Sequence, residues 1–298
     1  MSRFWRSTVR GTRGFSKRSL AWTILSIALV LGIWGFILEP RSLRLCAYEI
    51  EVSGWPRGLD SMRIALLSDF HVGSPYNDLK KLREIVARTN AAEPDLVLLA
   101  GDYVVGWVLG GRLIQPEEIA RTLASLHAPL GVYAVMGNHD VWFDGERVRR
   151  ALSGARIRVL EDEAVALPTE AGELWLIGLR DGLADRPDVS AALENVPDGA
   201  EVLALTHNPD VFPEIPARVR FTLAGHTHGG QVKLPFLGTP IVPSRYGSRF
   251  VRGLAVEGDR RLFVTSGLGT TILPVRFRVA PEISLIRVRA PGASKPAG

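Results

Sequence analysis

Cysteine is nearly missing: Cys46 is the one such residue among 298. That excludes an intrachain disulfide and any cysteine-rich zinc site, and it leaves both reducing and oxidising compartments open. Acid is missing from residues 1–18, where Arg3, Arg6, Arg10, Arg13, Lys17 and Arg18 carry all the charge. Beyond those six, the chain holds 30 basic against 31 acidic residues, so the net charge of +5 belongs to the terminal segment. The near-neutral remainder lacks the basic face of a nucleic-acid binder, and no nucleic-acid partner is expected. Internal repeats and an inter-domain linker are also missing. What is there is ordinary for a folded protein: 46% hydrophobic and 22% charged residues exclude wholesale disorder.

Charge of either sign is absent from residues 20–38 (LAWTILSIALVLGIWGFIL). At about 1.5 Å per residue this run spans about 28 Å, close to the hydrocarbon core of a bilayer. A buried core helix of that length would carry a polar stripe. A cleavable signal peptide has a shorter apolar region and a small-x-small site, whereas residues 36–41 read FILEPR. The run is read as an uncleaved single-span anchor. Six basic residues precede it, against Arg41 and Arg44 after it, which places the N-terminus in the cytoplasm and the rest across the inner (cytoplasmic) membrane. In a Gram-negative cell that far side is the periplasm.

Past the anchor, short apolar runs end abruptly in polar, glycine-containing loops. Such runs are 62–67 (MRIALL), 95–100 (DLVLLA), 132–136 (VYAVM), 174–179, 201–205 (EVLAL), 220–224 (RFTLA), 262–265 and 283–288, which predict buried strands. Helical spacing appears at 78–90 and 116–126, and more weakly at 144–152 and 189–195. Strands alternating with helices predict an α/β fold.

The chemistry gathers where strands end. Asp69 and His71 follow the first run, Asp102 the second, Asn138, His139 and Asp140 the third; His207 follows the fifth, and His226 and His228 the sixth. Of the six histidines only His127 lies elsewhere. Ligands of open α/β sheets bind beyond the carboxyl ends of strands, so these side chains can converge. Each piece alone is weak; the ordered set is not.

The series Asp69-x-His71, Gly101-Asp102, Gly137-Asn138-His139-Asp140, His207 and Gly225-His226-x-His228 resembles the calcineurin-like metallophosphoesterase family over about residues 62–230. The likeness is greatest to a membrane-anchored bacterial branch that includes a UDP-2,3-diacylglucosamine pyrophosphatase, and it extends through Gly229-Gly230-Gln231 to Gly267-Leu268-Gly269 and Pro281-Glu282. The resemblance implies a four-layer αββα sandwich. The expected order is a basic segment (1–18), a transmembrane anchor (19–38), a linker with a first strand (39–61), the metallophosphoesterase domain (62–290) and a disordered tail (291–298).

The resemblance also implies two divalent metal ions. Asp69, His71 and His228 would hold the first, Asn138, His207 and His226 the second, and Asp102 would bridge them. Two divalent cations outweigh two carboxylates and one hydroxide, so the site keeps a positive charge for phosphate. Donors of this kind suit Mn²⁺, Fe, Zn²⁺ or Co²⁺ without choosing among them. The expected reaction is direct attack of a metal-activated hydroxide on phosphorus. His139 would contact the phosphate or protonate the leaving group, with Asp140 holding its imidazole. One departure stands out: Val105 occupies the position where many family members carry a second Asp, which puts in doubt how His139 is held.

Arg245, Tyr246 and Arg276 are candidate substrate contacts, and Trp142 and Phe143 could wall the site or fill the core. An anchored site suits a phosphate-containing substrate that is itself lipid-linked. A nucleotide-linked lipid A precursor, however, would be met in the cytoplasm, against the charge bias. The alternatives are a nucleotide phosphodiesterase or nuclease of the same superfamily, and a catalytically silent metal-binding scaffold.

Overall fold

The computed structural model describes residues 17–292. The expectations for most of the basic segment and of the tail therefore lie outside the described residues. The apolar run forms helix α1 (Lys17–Ile33), which continues through one π-helical turn (Trp34–Leu38) into α2 (Glu39–Arg41). Together they make a 25-residue helix long and apolar enough to cross a membrane. It runs three residues beyond the expected end: the π-helical turn accommodates Pro40, which has no amide hydrogen, and Gly35 O accepts the Arg276 N–H instead.

Strand β1 (Arg44–Glu51) leads to β2 (Arg63–Leu67), where the period of two decides the architecture. Ile64 and Leu66 face one side and Ala65 and Leu67 the other, and all four are fully buried. A strand covered on both faces must lie between two layers. Helix α3 (Leu79–Ala91), capped by Asp78 accepting from the Lys81 N–H, returns the chain to β3 (Leu96–Leu99). Then come α4 (Pro116–Leu123), β4 (Val132–Ala134), α5 (Asn138–Gly154) and β5 (Arg158–Val159). These strands make one sheet in the order β1-β12-β2-β3-β4-β5, where β12 is Glu282–Arg289. β2 to β5 run parallel to one another, and β12 runs antiparallel to β2.

The second sheet contains β6 (Glu163–Thr169), β7 (Gly172–Leu179), β8 (Glu201–Thr206), β9 (Phe221–Ala224), β10 (Gly253–Glu257) and β11 (Arg260–Val264), with α6 (Val189–Leu193) between β7 and β8. Its order is β10-β11-β9-β8-β7-β6, with β7, β8, β9 and β11 parallel. Ile64, Leu66, Leu98 and Ile286 of the first sheet pack against Leu174, Leu203, Leu223 and Phe263 of the second. The opposite face of the first sheet is covered by α3, α4 and α5 through Leu82, Ile119 and Leu152. The outer face of the second is covered thinly, by α6 and a 3₁₀ turn at Pro209–Glu214. The fold is thus a mixed α/β, two-sheet sandwich with helical outer layers. Trimming a central residue such as Leu66 to Ala would cost about 2–5 kcal/mol.

Residues 138–143 correct the sequence reading: they form the first turns of α5, not a loop, and the chain leaves helical geometry only at Asp144. Gly137 caps this helix, and its N–H donates to Asp140 Oδ2 at 3.0 Å. Strands β1, β5, β6 and β10 were less legible because they are short or lie at or near sheet edges, where one face needs no apolar residue.

Candidate metal centre

The carboxyl ends of β2, β3 and β4 in one sheet and of β7, β8 and β9 in the other open on the same edge of the sandwich. Each delivers one or two polar side chains there. Asp69, His71, Asp102 and His228 form one buried group, and Asp181, His207 and His226 a second, with the donor atoms of each within 4.8 Å of one another. Asp102 joins the two groups: its Oδ2 lies 3.4 Å from His71 Nε2 and 3.3 Å from His207 Nε2. His228 Nε2 lies 3.4 Å from Asp69 Oδ1 and 3.2 Å from His71 Nε2, and His226 Nδ1 lies 3.2 Å from His207 Nε2.

The backbone is bent to achieve this. Asp69, His71, Asp102, His226 and His228 all have positive φ, between 40° and 70°. Non-glycine residues adopt that region at a cost, and they persist there where surrounding bonds over-determine them. Those bonds are present: the Asp69 N–H donates to Gly101 O, His71 N–H to Asp102 O, and Gly225 N–H to His207 O. Gly137 must be glycine, since a Cβ there would overlap the Asp102 carboxylate.

Ring orientation is set from behind. His71 Nδ1 faces Val104 O at 3.3 Å, and His207 Nδ1 faces Ala100 O at 2.5 Å. Donation from each Nδ1 leaves the Nε2 lone pair directed into the site, the usual support for a metal-binding imidazole. Burial pushes His71 down to about 4 and His226 down to about 3, and it holds His228 well below its ordinary value, so all three are neutral. Burial opposes the charge on Asp102, yet His207 beside it holds its carboxyl well below the usual range. Burial pushes Asp69 up to about 7.

The arrangement fits cations on its own chemistry. Asp69 Oδ1, Asn138 Oδ1 and Asp181 Oδ1 are buried without a hydrogen-bond partner. Orphaned acceptors packed this closely are costly unless a positive ion satisfies them.

All seven sequence-predicted ligands, Asp69, His71, Asp102, Asn138, His207, His226 and His228, converge on this edge. Asn138 lines the same cleft as Asp102, His226 and His228. Asp181 was missed, although it stands two residues beyond β7, the strand-end position that flagged the others.

Asp140 requires a correction. Its carboxylate does not hold His139; it accepts four backbone N–H groups, from Asp102, Tyr103, Val104 and Gly137. His139 is held otherwise. Its N–H donates to Asp102 Oδ1 at 3.0 Å, its ring lies edge-on to His71 and Trp142, and it packs so closely over Gly106 that a Cβ there would overlap the imidazole. Val105 supplies no polar group, and steric packing takes the place of the missing carboxylate.

The site opens into a cleft of about 560 Å³ walled by Trp107, His139, Trp142, Leu183 and Ile272, with Arg245 at its edge. Trp142 is thus a wall, while Phe143 packs on the helical side of the first sheet. Two expected substrate contacts are corrected. Arg276 is fully buried, and its guanidinium donates to the carbonyls of Ser266, Gly269 and Val279. Tyr246 is half-buried and packs edge-on to Phe250, against the core beneath the second sheet.

Two buried imidazole–carboxylate groups that share an aspartate, at the strand ends of a two-sheet sandwich, define the class of metal-dependent phosphoester hydrolases. The family model for calcineurin-like phosphoesterase matches residues 62–230, more than half of the chain, and the chain belongs to that family. It is 31% identical to the uncharacterized metallophosphoesterase YkuE of Bacillus subtilis (strain 168), covering 85% of this chain and 88% of the relative. It is 31% identical to phosphodiesterase YaeI of Escherichia coli (strain K12), covering 76% and 82%. It is 26% identical to the UDP-2,3-diacylglucosamine pyrophosphatase LpxG of Chlamydia trachomatis, covering 89% and 95%.

Proposed function

We propose that the protein is a single-pass, membrane-anchored phosphohydrolase that uses a pair of divalent metal ions to cleave a phosphodiester or pyrophosphate bond in a lipid-linked substrate. One observation carries the metal pairing: Asp102 Oδ2 sits within 3.4 Å of His71 and 3.3 Å of His207, one from each buried group. The proposed ligands are Asp69, His71, Asp102 and His228 on one side, and Asn138, His207, His226 and Asp102 on the other, with Asp181 as a further donor beside His207. When bound, the ions would neutralise phosphate oxygens and supply an activated water.

The chain's own residues do the rest. Val104 O and Ala100 O fix the tautomers of His71 and His207. Asp140 pins the loop that carries Asp102. His139 is half-buried at the cleft wall, the place for a group that gives a proton to the departing oxygen while water's oxygen bonds to phosphorus. Trp107, Trp142, Leu183 and Ile272 offer apolar surface to a substrate with an acyl or prenyl portion. The lipid-linked class rests on those walls, on the apolar helix and on the named activity of the Chlamydia relative. The charge bias of residues 1–18 supports a catalytic domain outside the cytoplasm.

Detergent-solubilised protein incubated with Mn²⁺ and bis(p-nitrophenyl) phosphate tests the reading. Nitrophenol release that is abolished in Asp102→Ala is expected. No release above that variant, with metal occupancy confirmed, contradicts it.

A further inference from the structure

The far end of the membrane helix is bound to the loop that supplies Ile272 to the cleft wall. The Arg276 N–H donates to Gly35 O at 2.9 Å, within the π-helical turn, and the Arg278 N–H donates to Glu39 Oε2 at 2.7 Å. Phe277 N–H in turn donates to Gln231 O, and the Gln231 side chain bonds Thr271 at both its N–H and its carbonyl. Ile272 exchanges backbone hydrogen bonds with Trp107 and Leu109. On the other side, Arg41 lies over the Tyr76 ring, and the loop of Gly73 bonds Arg112. Three loops, around residues 107–113, 231–241 and 271–278, are therefore tied, directly or through one another, to the segment where the helix meets the domain.

Those loops present apolar side chains to the outside. Phe236 is fully exposed, Leu237 and Ile241 are 77% and 75% exposed, and Trp107, Leu109, Leu113, Ile272 and Leu273 are also exposed. Clustered exposure of this kind marks an interaction surface. The charges are equally one-sided. Residues 103–116, 215–256 and 260–281 contain no Asp or Glu, although the chain beyond residue 18 is balanced in charge as a whole. Arg112, Lys233 and Arg278 are exposed, and among the described residues none of their side chains forms an ion pair with a carboxylate. Aromatic and aliphatic side chains interleaved with free cations suit the headgroup region of an anionic bilayer.

We propose that these three loops form a collar that seats the domain on the bilayer surface, so that the cleft opens at the lipid headgroups and takes its substrate directly from the membrane. A bilayer is the occupant because the collar is continuous with the helix that enters one. The proposal rests on the anchored-hydrolase reading, and it names how that site reaches a lipid-borne phosphodiester.

Spin labels on the full chain in nanodiscs of phosphatidylcholine and phosphatidylglycerol test it, in a Cys46→Ser background. Labels at Phe236→Cys and Leu109→Cys are expected to collide more with oxygen than with a water-soluble nickel chelate. A label at Glu170→Cys, in the β6–β7 turn at the opposite end of the sandwich, is expected to do the reverse. Collar labels that behave like the Glu170 label overturn the proposal, whatever the activity. A triple variant, Phe236→Ser, Leu237→Ser and Ile241→Ser, adds a kinetic arm. Hydrolysis of phosphatidyl-p-nitrophenol in the same nanodiscs should fall about tenfold, while bis(p-nitrophenyl) phosphate in solution should stay within about twofold. Unchanged lipid turnover overturns the proposal, and so does an equal fall on both probes. Absence of activity on either probe in the parent protein counts against the hydrolase reading, not against the collar.

Discussion

Asp140 Oδ2 accepts a hydrogen bond from the Asp102 N–H at 2.8 Å, so the aspartate that joins the two halves of the site is held by a carboxylate in the first turn of α5. Three further N–H groups converge on the same side chain. Asp140→Ala would strand four buried donors and cost about 3–5 kcal/mol of stability. Thermal unfolding in detergent checks this. A variant with unchanged Tm and a selective loss of turnover would instead favour a role on His139.

Gly106→Ala would displace the His139 imidazole that packs over it. Turnover on bis(p-nitrophenyl) phosphate should fall about 10- to 100-fold, with metal content unchanged, as expected when a proton donor is moved. Loss of metal from the variant would contradict this placement.

Arg276 separates a structural from a substrate role. Arg276→Ala should cost about 3–5 kcal/mol, and Arg276→Lys should recover only part of it, because one ammonium cannot serve carbonyls at three positions as the planar guanidinium does. Chemical denaturation measures both. A raised KM with unchanged stability would restore the substrate assignment.

Glu201 gives a pH signature away from the site. Burial pushes its carboxyl up from 4.5 to about 7. The folded chain then keeps a proton that the unfolded chain releases, so stability falls as pH rises through that window and levels off above it. Glu201 is only part-buried, so the effect is about 1–2 kcal/mol. Glu201→Gln should remove the slope and be the more stable protein at pH 8. Parallel stability–pH curves for the two proteins would contradict this.

Much of this was legible in residue order because strand ends concentrate polar side chains. Buried runs such as 62–67 and 201–205 announced both their strands and the residues that follow them. The same rule, applied to the run ending at Leu179, would have found Asp181. Asp140 and Arg276 were misjudged for a common reason. Each bonds backbone groups brought close only by folding, and residue order does not show which carbonyls or N–H groups will be left without a partner. The thin outer layer on the second sheet was equally hidden, since a 3₁₀ turn has no long apolar period.

The most direct test counts metal. The purified full chain, loaded with Mn²⁺ and freed of excess, should retain two divalent ions per chain by mass spectrometry. Asp102→Ala should retain at most about one, and Asp181→Ala should lose ion selectively from the His207 side. A wild-type chain that retains no ion, or an Asp102→Ala chain that retains as many as wild type, would contradict the paired centre on which the proposed function depends.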